Sequence, residues 1–560
     1  MKKKLLLITM ILAGIMVHAQ PFKWAKQFSS TSLNYGITMA KYPSGEMIVS
    51  GGFEGTVDFD PGEDTHFLTS FGAKDVYVAK IDVEGNLLWV KQIGGTGDDF
   101  PRNVSCDASG NIYITGVFEG TADMDPGEAT VNFTSIGGKD VFIAELNGNG
   151  DYIWAGQLGG VNDGTGTRVM VAPSGNIYIS GYYIGTFDFD PGPAEFYMST
   201  NGQSIFVEKL NSNHEFVWAK TMGSTLFDYC QSMCLDEEEN VYTIGSFKGE
   251  GDFDPGDGTV LFTVFGGNDI FVSKLNSNGN YVWAKHMGGT SDEFGQSIVY
   301  DYEGHLYITG NFMGAVDFAP DDGGMILTSF GGRDEFTGKM DTEGNLLWVN
   351  QIGGEGDQSS YAMALDNNNN VYVTGYFTET ADFDPGEGTY WMTSAGDLDA
   401  FVSKLSSNGT FIWAAGMGGP LYDRGMSVIS DQGNVYTVGY FGGTADFDPG
   451  IENYLLTALG ERAAFISKLG AELVGVAEDM VYDGITVYPN PMNEDFHIDF
   501  NDLHQHIVVN IYNMQGQVVL HQEYLNTNRI TVSLKDAPGL YFVQVATDAD
   551  QTEWIKIIKK

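Results

Sequence analysis

The residues best suited to chemistry in this sequence are paired aspartates in a recurring Asp-Phe-Asp-Pro-Gly motif. Residues two apart in an extended segment face the same way, so each pair places two carboxylates side by side. Carboxylate oxygens are the ligands that Ca²⁺ prefers, and a cation would relieve the repulsion between them. The pattern therefore indicates these residues as candidate Ca²⁺ ligands: Asp58, Asp60, Asp123, Asp125, Asp188, Asp190, Asp252, Asp254, Asp382, Asp384, Asp446 and Asp448.

A turn without metal explains the same motif. Pro61 and Gly62 occupy the second and third positions of a four-residue segment, as a type II turn requires, and Phe59 would then point to the core. An EF-hand pattern needs a further oxygen ligand at position five, where most copies carry glycine. In the fifth copy Ala319 replaces the second carboxylate and Asp321 follows, so any calcium site should be weakest there. Both interpretations stay open.

Few other residues suggest chemistry. His504 and His506 are two apart, so they would share a strand face and could contact a metal or simply face solvent. Trp391 breaks the regular tryptophan spacing and is interpreted either as a platform for stacking sugars or as a local hydrophobic plug. The sequence contains no nucleophile elbow, phosphate loop, zinc-ligand spacing or catalytic triad order. We expect no cofactor other than Ca²⁺.

The charge balance limits the partners. Lys and Arg number 28 against 74 Asp and Glu, which gives a net charge of −46. Such a chain repels nucleic acid and anionic lipid. Hydrophobic residues make up 42% and aromatic residues 13%, too many for a disordered chain, and 74 glycines indicate many turns. The composition favours a large, acidic, folded all-β protein.

The motif belongs to a repeat of about 65 residues. Seven copies share three markers in constant phase: the aspartate motif, a glycine inside a β-like run, and a tryptophan. The tryptophans are Trp24, Trp89, Trp154, Trp218, Trp283, Trp348 and Trp413. Self-similarity at a fixed period is the signature of a repeat architecture.

Each repeat is predicted to contain four strands. In the second repeat these cover 104–107, 112–118, 141–146 and 152–158, with period-two alternation and turns rich in Gly and Asn. Four antiparallel strands repeated seven times predict a seven-bladed β-propeller. A parallel β-helix is the alternative, but its coils are much shorter than this repeat.

The two ends of the array complement each other. The chain opens with a tryptophan strand at 22–28, and the last repeat stops at its third strand, 464–469. We therefore expect the N-terminal strand to complete the last blade and remove an exposed sheet edge. The pattern at 110–116 and 139–146 resembles the bacterial β-propeller repeats known as SBBP. The resemblance covers roughly residues 21–470 and implies the propeller fold without a single activity.

The N-terminus predicts export. Residues 1–19 contain three lysines, an apolar run of about 13 residues and a Val-His-Ala end, as in a secretory signal peptide. The run is shorter than the roughly 20 residues that a transmembrane helix needs, and no later stretch is longer, so we expect no membrane span.

The C-terminus forms a separate module. Residues 471–482 are interpreted as a linker, and the alternating pattern of 483–560 predicts a small β-sandwich. Its Tyr-Pro-Asn-Pro opening at 488–491, Asn-x-x-Gly-Gln-x-Val at 513–519 and Pro-Gly-x-Tyr-x-x-x-Val at 538–545 resemble the type IX (Por) secretion sorting domain of Bacteroidetes. The resemblance implies the type IX machinery as a partner and delivery to the cell surface or the medium. An Ig-like accessory domain is the alternative.

Two functions remain open. The first is a non-catalytic, secreted or cell-surface binding or adhesion protein for an unidentified glycan or protein, which we expect to be a monomer. The second is an exported polysaccharide hydrolase or lyase that uses the propeller mouth. Evenly repeated acids favour binding, since hydrolysis needs one distinct carboxylate pair. The inserts and the glycine-acid loops, such as Gly94 to Asp99, should share the binding face.

Overall fold

The computed structural model describes residues 21–320, 323–470, 480–482, 485–488, 495–513, 518–535, 539–547 and 552–559. The chain divides after Gly470 into two compact units. All regular elements among the described residues are β-strands, and none of these residues belongs to a helix that could cross a membrane. The predicted signal peptide and most of the predicted linker lie outside the described residues.

The first unit begins with eighteen strands: β1 (Phe22–Gln27), β2 (Ser29–Ser30), β3 (Asn34–Lys41), β4 (Met47–Asp58), β5 (Phe67–Ile81), β6 (Leu87–Gly95), β7 (Phe100–Cys106), β8 (Ile112–Asp123), β9 (Asn132–Leu146), β10 (Tyr152–Gly160), β11 (Gly164–Val171), β12 (Ile177–Asp188), β13 (Tyr197–Leu210), β14 (Phe216–Ser224), β15 (Tyr229–Leu235), β16 (Val241–Asp252), β17 (Leu261–Leu275) and β18 (Tyr281–Gly289).

It continues with β19 (Phe294–Tyr300), β20 (His305–Phe312), β21 (Ala315–Asp317), β22 (Ile326–Thr328), β23 (Asp334–Asp341), β24 (Leu346–Gly354), β25 (Gln358–Leu365), β26 (Val371–Phe377), β27 (Thr380–Asp382), β28 (Trp391–Thr393), β29 (Asp399–Leu405), β30 (Phe411–Met417), β31 (Arg424–Asp431), β32 (Asn434–Phe441), β33 (Thr444–Asp446), β34 (Leu455–Thr457) and β35 (Ala463–Leu469).

Each repeat forms an antiparallel meander. In the second repeat β7 pairs with β8, β8 with β9, and β9 with the tryptophan strand β10. The middle strands are covered on both faces, and seven successive residues of β8, Ile112 to Phe118, are buried. The aspartate motif closes an outer hairpin that extends the second and third strands in the first four repeats. In the last three repeats this hairpin forms short separate strands, as in β27 and β28.

The glycine marker has a steric cause. Gly116 lies in the second strand opposite Pro101, and a Cβ there would stand 2.1 Å from the carbonyl oxygen of Phe100. Each of the other marker glycines faces the same clash with a carbonyl of the first strand, at 1.7–2.0 Å: Gly51, Gly181, Gly245, Gly310, Gly375 and Gly439. A side chain at this position would push the two strands apart.

The N-terminal strand completes the last repeat. β1 pairs with β35 in a four-stranded sheet of order β1-β35-β32-β31, with Gln27 opposite Phe465. The pairing that the repeat phase predicted is therefore confirmed. Ala25 and Phe28 are buried, so the N-terminal segment contributes apolar contacts as well as hydrogen bonds.

Consecutive repeats are joined by short lateral pairings. The end of each tryptophan-strand segment pairs with the insert of the next repeat; Gly94 lies opposite Asp123 and Gly95 opposite Ala122. This end is Gly-Gly in five repeats, Ser29-Ser30 in one and Gly223-Ser224 in another. The equivalent partners of the first motif aspartates are Ser29 with Asp58, Gly159 with Asp188, Gly223 with Asp252, Gly288 with Asp317, Gly353 with Asp382, and Gly418 with Asp446. Every insert hairpin is thereby fixed to the preceding sheet.

The second unit is antiparallel. Its strands are β36 (Met480–Tyr482), β37 (Ile485–Tyr488), β38 (Asp495–Tyr512), β39 (Val518–Ser533), β40 (Gly539–Thr547) and β41 (Thr552–Lys559). The long strand β38 pairs with β37, β39 and β40. Alternate residues of β38, including Ile507, Val509 and Ile511, form its apolar core.

Deleting residues 21–28 should destabilise the first unit. The edge of β35 would be exposed and the burial of Phe28 and Ala25 lost, a cost of roughly 3–6 kcal/mol. We expect a lower melting temperature by calorimetry and concentration-dependent oligomers by light scattering. The control is Lys23→Gln, which changes an exposed residue of β1 and should melt like the wild type. A deletion variant that melts unchanged as a monomer would contradict the closure.

Candidate functional site: the insert hairpins and the axial cavity

The first aspartate of each motif closes the insert hairpin with its side chain. Asp252 Oδ1 accepts hydrogen bonds from the backbone N–H groups of Asp254, at 3.1 Å, and Val260, at 2.8 Å. The equivalent pairs of bonds are made by Asp58, Asp123, Asp188, Asp317, Asp382 and Asp446. One carboxylate oxygen thus holds both ends of the loop.

The second aspartate makes a tighter turn, and here the type II assignment is wrong. Asp60 Oδ1 accepts the N–H of Gly62 at 2.7 Å, and Gly62 lacks the positive φ that a type II turn requires. The carboxylate acts as the turn acceptor, an Asx-type turn. A Cβ at Gly62 would stand 2.9 Å from Asp60 Oδ1, so a side chain there would have to displace the carboxylate from this bond. The five equivalent bonds are those of Asp125, Asp190, Asp254, Asp384 and Asp448.

The motif aromatic is buried as expected. Phe59 and its equivalents Phe189, Phe253, Phe318, Phe383 and Phe447, with Met124 in the second copy, are at most 1% exposed. The fifth copy keeps the two bonds of Asp317 although Ala319 cannot make the second turn; Asp321 lies outside the described residues. Within the described part of the chain, no group of three or more His, Cys, Asp or Glu side chains is placed to hold a metal ion. Calcium binding by the paired aspartates stays a prediction.

Substitutions at Asp252 separate the turn from calcium binding. Asp252→Ala removes the acceptor of two N–H bonds and should cost roughly 1–3 kcal/mol of unfolding free energy. Asp252→Asn keeps an acceptor oxygen but removes the charge, so it should melt near the wild type in chelator. If the aspartates bind Ca²⁺, millimolar Ca²⁺ will raise the wild-type melting temperature more than that of Asp252→Asn. The same melting temperature with and without Ca²⁺ would leave only turn chemistry.

A second set of polar groups lies buried behind the loops. The Asp99 carboxylate accepts the N–H groups of Gly95, at 2.7 Å, and Glu119, at 3.2 Å, so it ties the fourth-to-first loop to the next second strand. Burial, with added repulsion from Asp75 and Asp98, raises the pKa of the Asp99 carboxyl to about 7. The same repeat position holds Asn34, Asp228, Glu293, Gln358 and Asp423, each at most 1% exposed. Burial raises the pKa of Glu293 to about 8.

The stability of the first unit should therefore depend on pH. A raised pKa means that the folded state binds more protons than the unfolded state between about pH 4 and pH 7, so the unfolding free energy falls as pH rises through this window. Asp99→Asn should gain roughly 2–4 kcal/mol at pH 8 and little at pH 4. Denaturant unfolding at both values tests this. The control Asp64→Asn, at an exposed acid of the first insert, should show no such gain.

A β-bulge in the first strand of every repeat directs one side chain inward. The pairing of β7 with β8 skips Arg102, between Pro101 and Asn103. Bulges re-aim side chains, and the skipped residue of each first strand lines one cavity. These seven residues are Ile37, Arg102, Thr167, Gln231, Gln296, Tyr361 and Met426. We call this space, of ≈ 390 Å³, the mouth cavity.

The mouth cavity continues between the first strands. A second space, the axial cavity, also has ≈ 390 Å³ and is lined by residues of all seven first strands. Arg168 lines both cavities. The mouth cavity lies where the first strands begin, directly after the glycine-acid loops, so it opens on the face that carries those loops.

Arginine is concentrated around this mouth. Only six of the 560 residues are arginine, and five lie in the repeat array. Besides Arg102 and Arg168, Arg424 donates a hydrogen bond to the Tyr361 hydroxyl at 3.1 Å. The others stack on rings near the starts of first strands: Arg333 lies 5.4 Å from the Phe294 ring and Arg462 lies 5.6 Å from the Tyr35 ring. The mouth is cationic and aromatic in a strongly acidic protein.

The residues that line the mouth cavity were not predicted from the sequence, although one signal was present. An isolated glycine inside a strand pattern indicates a bulge or a close backbone approach. The glycine marker stands opposite the residue that precedes each bulge, as Gly116 stands opposite Pro101. The residue that follows the glycine's partner in the first strand, such as Arg102 after Pro101, is therefore the one whose side chain lines the mouth cavity.

Trp391 does not plug the insert, because its side chain is 61% exposed. It lines a separate groove of ≈ 660 Å³ with Phe330, Glu355, Asp382 and Asp384. The same repeat position exposes other large side chains: Phe67, Tyr197, Leu261, Ile326 and Leu455. Trp391 is therefore one of a set of large exposed side chains at the same repeat position, and polar residues lie beside it in the groove.

The histidine pair lies in the second unit. His504 and His506 are both partly buried in β38, on one strand face as expected. His506 Nε2 lies 2.9 Å from Glu523 Oε2, and His521 Nε2 lies 3.6 Å from Glu523 Oε1. The structure therefore places His506 beside a carboxylate and a third histidine.

Comparison with known proteins gives matches in both units. Residues 88–117 and 347–376 match the SBBP beta-propeller repeat, and residues 486–560 match the secretion system C-terminal sorting domain. An uncharacterized WD repeat-containing protein of Acanthamoeba polyphaga mimivirus is 23% identical over 498 residues, which cover 75% of this chain and 36% of the relative. The regulatory protein FlaEY of Caulobacter vibrioides is 23% identical over 430 residues, covering 70% and 41%.

The chain thus spans only 36–41% of the length of these two relatives. The sorting-domain match agrees with the resemblance of the tail, and the two repeat matches fall in the second-strand and tryptophan-strand segments of the array. The chain contains SBBP-type beta-propeller repeats followed by a secretion system C-terminal sorting domain.

Proposed function

We propose that the chain is an exported β-propeller binding protein delivered by the type IX secretion system. In this proposal residues 1–19 are a signal peptide, 20–470 a seven-bladed propeller, 471–482 a linker and 483–560 a sorting domain built as a small β-sandwich. The closing pair of β1 with β35 and the seven lateral pairings support the propeller. The match of residues 486–560 supports the route of export.

The lining of the mouth cavity is the observation that carries the binding role. It presents arginine, tyrosine, glutamine, serine and threonine side chains, and no carboxylate or imidazole is among the described residues that line it. Hydrolysis and elimination at a sugar need a positioned acid and base. The mouth is therefore equipped to hold a ligand rather than to transfer protons.

The second candidate, a polysaccharide hydrolase or lyase, has one observation in its favour. The groove beside Trp391 contains Glu355, Asp382 and Asp384. However, Asp382 and Asp384 each accept backbone N–H bonds that hold their hairpin. Those bonds give both residues the role that their equivalents have in the other repeats, so binding remains the preferred function.

The partners follow from the two units. The tail would engage the type IX machinery, and the propeller would act as a monomer on the cell surface or in the medium. There it would bind a surface glycan or protein through the loop face. Rigid scaffolds that present ligand groups from loops and strand ends are a common arrangement for such sites.

A glycan array with the full mature chain, together with a polysaccharide-cleavage panel, tests the binding role. We expect retention of at least one glycan class and no cleavage. Gln231→Ala combined with Gln296→Ala should weaken that binding at least fivefold, because both amides line the mouth cavity. Asn149→Ala, on an exposed turn between third and fourth strands, is the matched control. Cleavage of a polysaccharide, or retention that the double variant leaves unchanged, would contradict the proposal.

A further inference from the structure

Arg168 departs from its own repeat position. It follows the bulged residue of β11, where the other six repeats carry small or short side chains: Thr38, Asn103, Ser232, Ser297, Ala362 and Ser427. Those residues leave open space along the axis, and Arg168 lies in it, lining both the mouth cavity and the axial cavity. One repeat thus places a cation where the others leave room.

The guanidinium has no partner within the described part of the chain. None of its nitrogens makes a hydrogen bond or an ion pair there, and the groups that act on it electrostatically are the thiols of Cys230 and Cys234. Burial lowers the pKa of Arg168 from its ordinary value. An unpaired charge removed from bulk water costs free energy that a protein normally offsets with an opposite charge. The chain carries 74 Asp and Glu residues, yet none of those that the structure describes lines the mouth cavity.

The groups around Arg168 define what would occupy the space. Gln231 and Gln296 enter the mouth from their bulges, and their amides make no hydrogen bond to any described residue. Tyr182 and Tyr229 form an edge-to-face pair, with ring centroids 5.1 Å apart, on the cavity wall. Free amides and tyrosines suit the hydroxyls and the apolar faces of a sugar ring, and an arginine suits a carboxylate, which it binds bidentately.

We propose that the mouth cavity binds a carboxylated saccharide, with the carboxylate on Arg168 and the sugar ring among Tyr229, Gln231 and Gln296. The inference rests on the proposed binding function and names its ligand class. Arg102, on the preceding bulge along the chain, adds a second cation at the rim of the same cavity. Arg424 fixes Tyr361 through its hydroxyl, so the wall on that side is held in position.

The test is calorimetric titration of the full mature chain. The probes are oligogalacturonate, oligoglucuronate, their methyl esters, a sulfated disaccharide and inorganic phosphate. We expect at least one uronate to bind ten times or more tighter than its methyl ester. Arg168→Ser, which installs a side chain found at this position in other repeats, should abolish that preference. Lys23→Gln removes the same charge from the outer strand β1 and should leave it unchanged.

Thermal melting separates a ligand-binding arginine from a structural one. Without ligand, Arg168→Ser should melt at or above the wild-type temperature, because it removes an unpaired charge. A lower melting temperature with the uronate preference intact would overturn the inference. So would equal affinity for uronate and methyl ester, or tighter binding of the sulfated disaccharide or of phosphate. If neutral glycans still bind in these cases, the proposed binding function stands without this ligand class; if the glycan array also shows no retention, both fail.

Discussion

The lateral pairing between one tryptophan strand and the next insert hairpin is the constraint on which the rest of the first unit depends. The first aspartate of each motif contributes to this pairing in two ways. Its backbone pairs with the preceding sheet, and its carboxylate closes its own hairpin, as at Asp252. The residue that follows it, Phe253, is buried behind the same hairpin. A polar loop on the surface is thereby fixed by the backbone of its neighbour, and consecutive repeats are joined in the same way along the first unit.

That regularity isolates the variable positions. Because the marker glycine has no Cβ, a carbonyl of the first strand can lie close to the second strand beside the bulge. The bulge then turns one side chain per repeat into the mouth cavity. The bulge recurs in all seven first strands, whereas the residues that it places in the mouth cavity range from Ile37 to Arg102 and Tyr361. Many of the aspartates accept backbone N–H groups, as Asp252 and Asp99 do. Ligand chemistry is left to a few uncommon residues, among them Arg168.

Much of the fold could be predicted because its signals are local and repeated. The strands and the pairing of β1 with β35 follow from alternation and phase. The turn type was wrong because the Asp60 carboxylate, rather than a backbone carbonyl, accepts the N–H of Gly62, a competition that residue preferences do not reveal. The residues that line the mouth cavity were not predicted because Arg102 and Gln231 look like ordinary strand residues until a bulge is located. Arg168 is recognised as unusual only when the residues at its repeat position are compared across all seven repeats.

The closing strand also governs the order of folding. Residues 22–27 pair with residues 465–469, so nearly the whole array lies between the two partners. The entropic cost of closing such a loop grows only slowly with its length, but contacts at this separation form late and slow the search for the native state. The sheets of the early repeats can assemble from local hairpins, whereas the pairing of β1 cannot form until β35 is present. A chain emerging from the ribosome or a membrane channel therefore keeps β1 unpaired until the end of the array is available, and the pairing of β1 with β35 forms last.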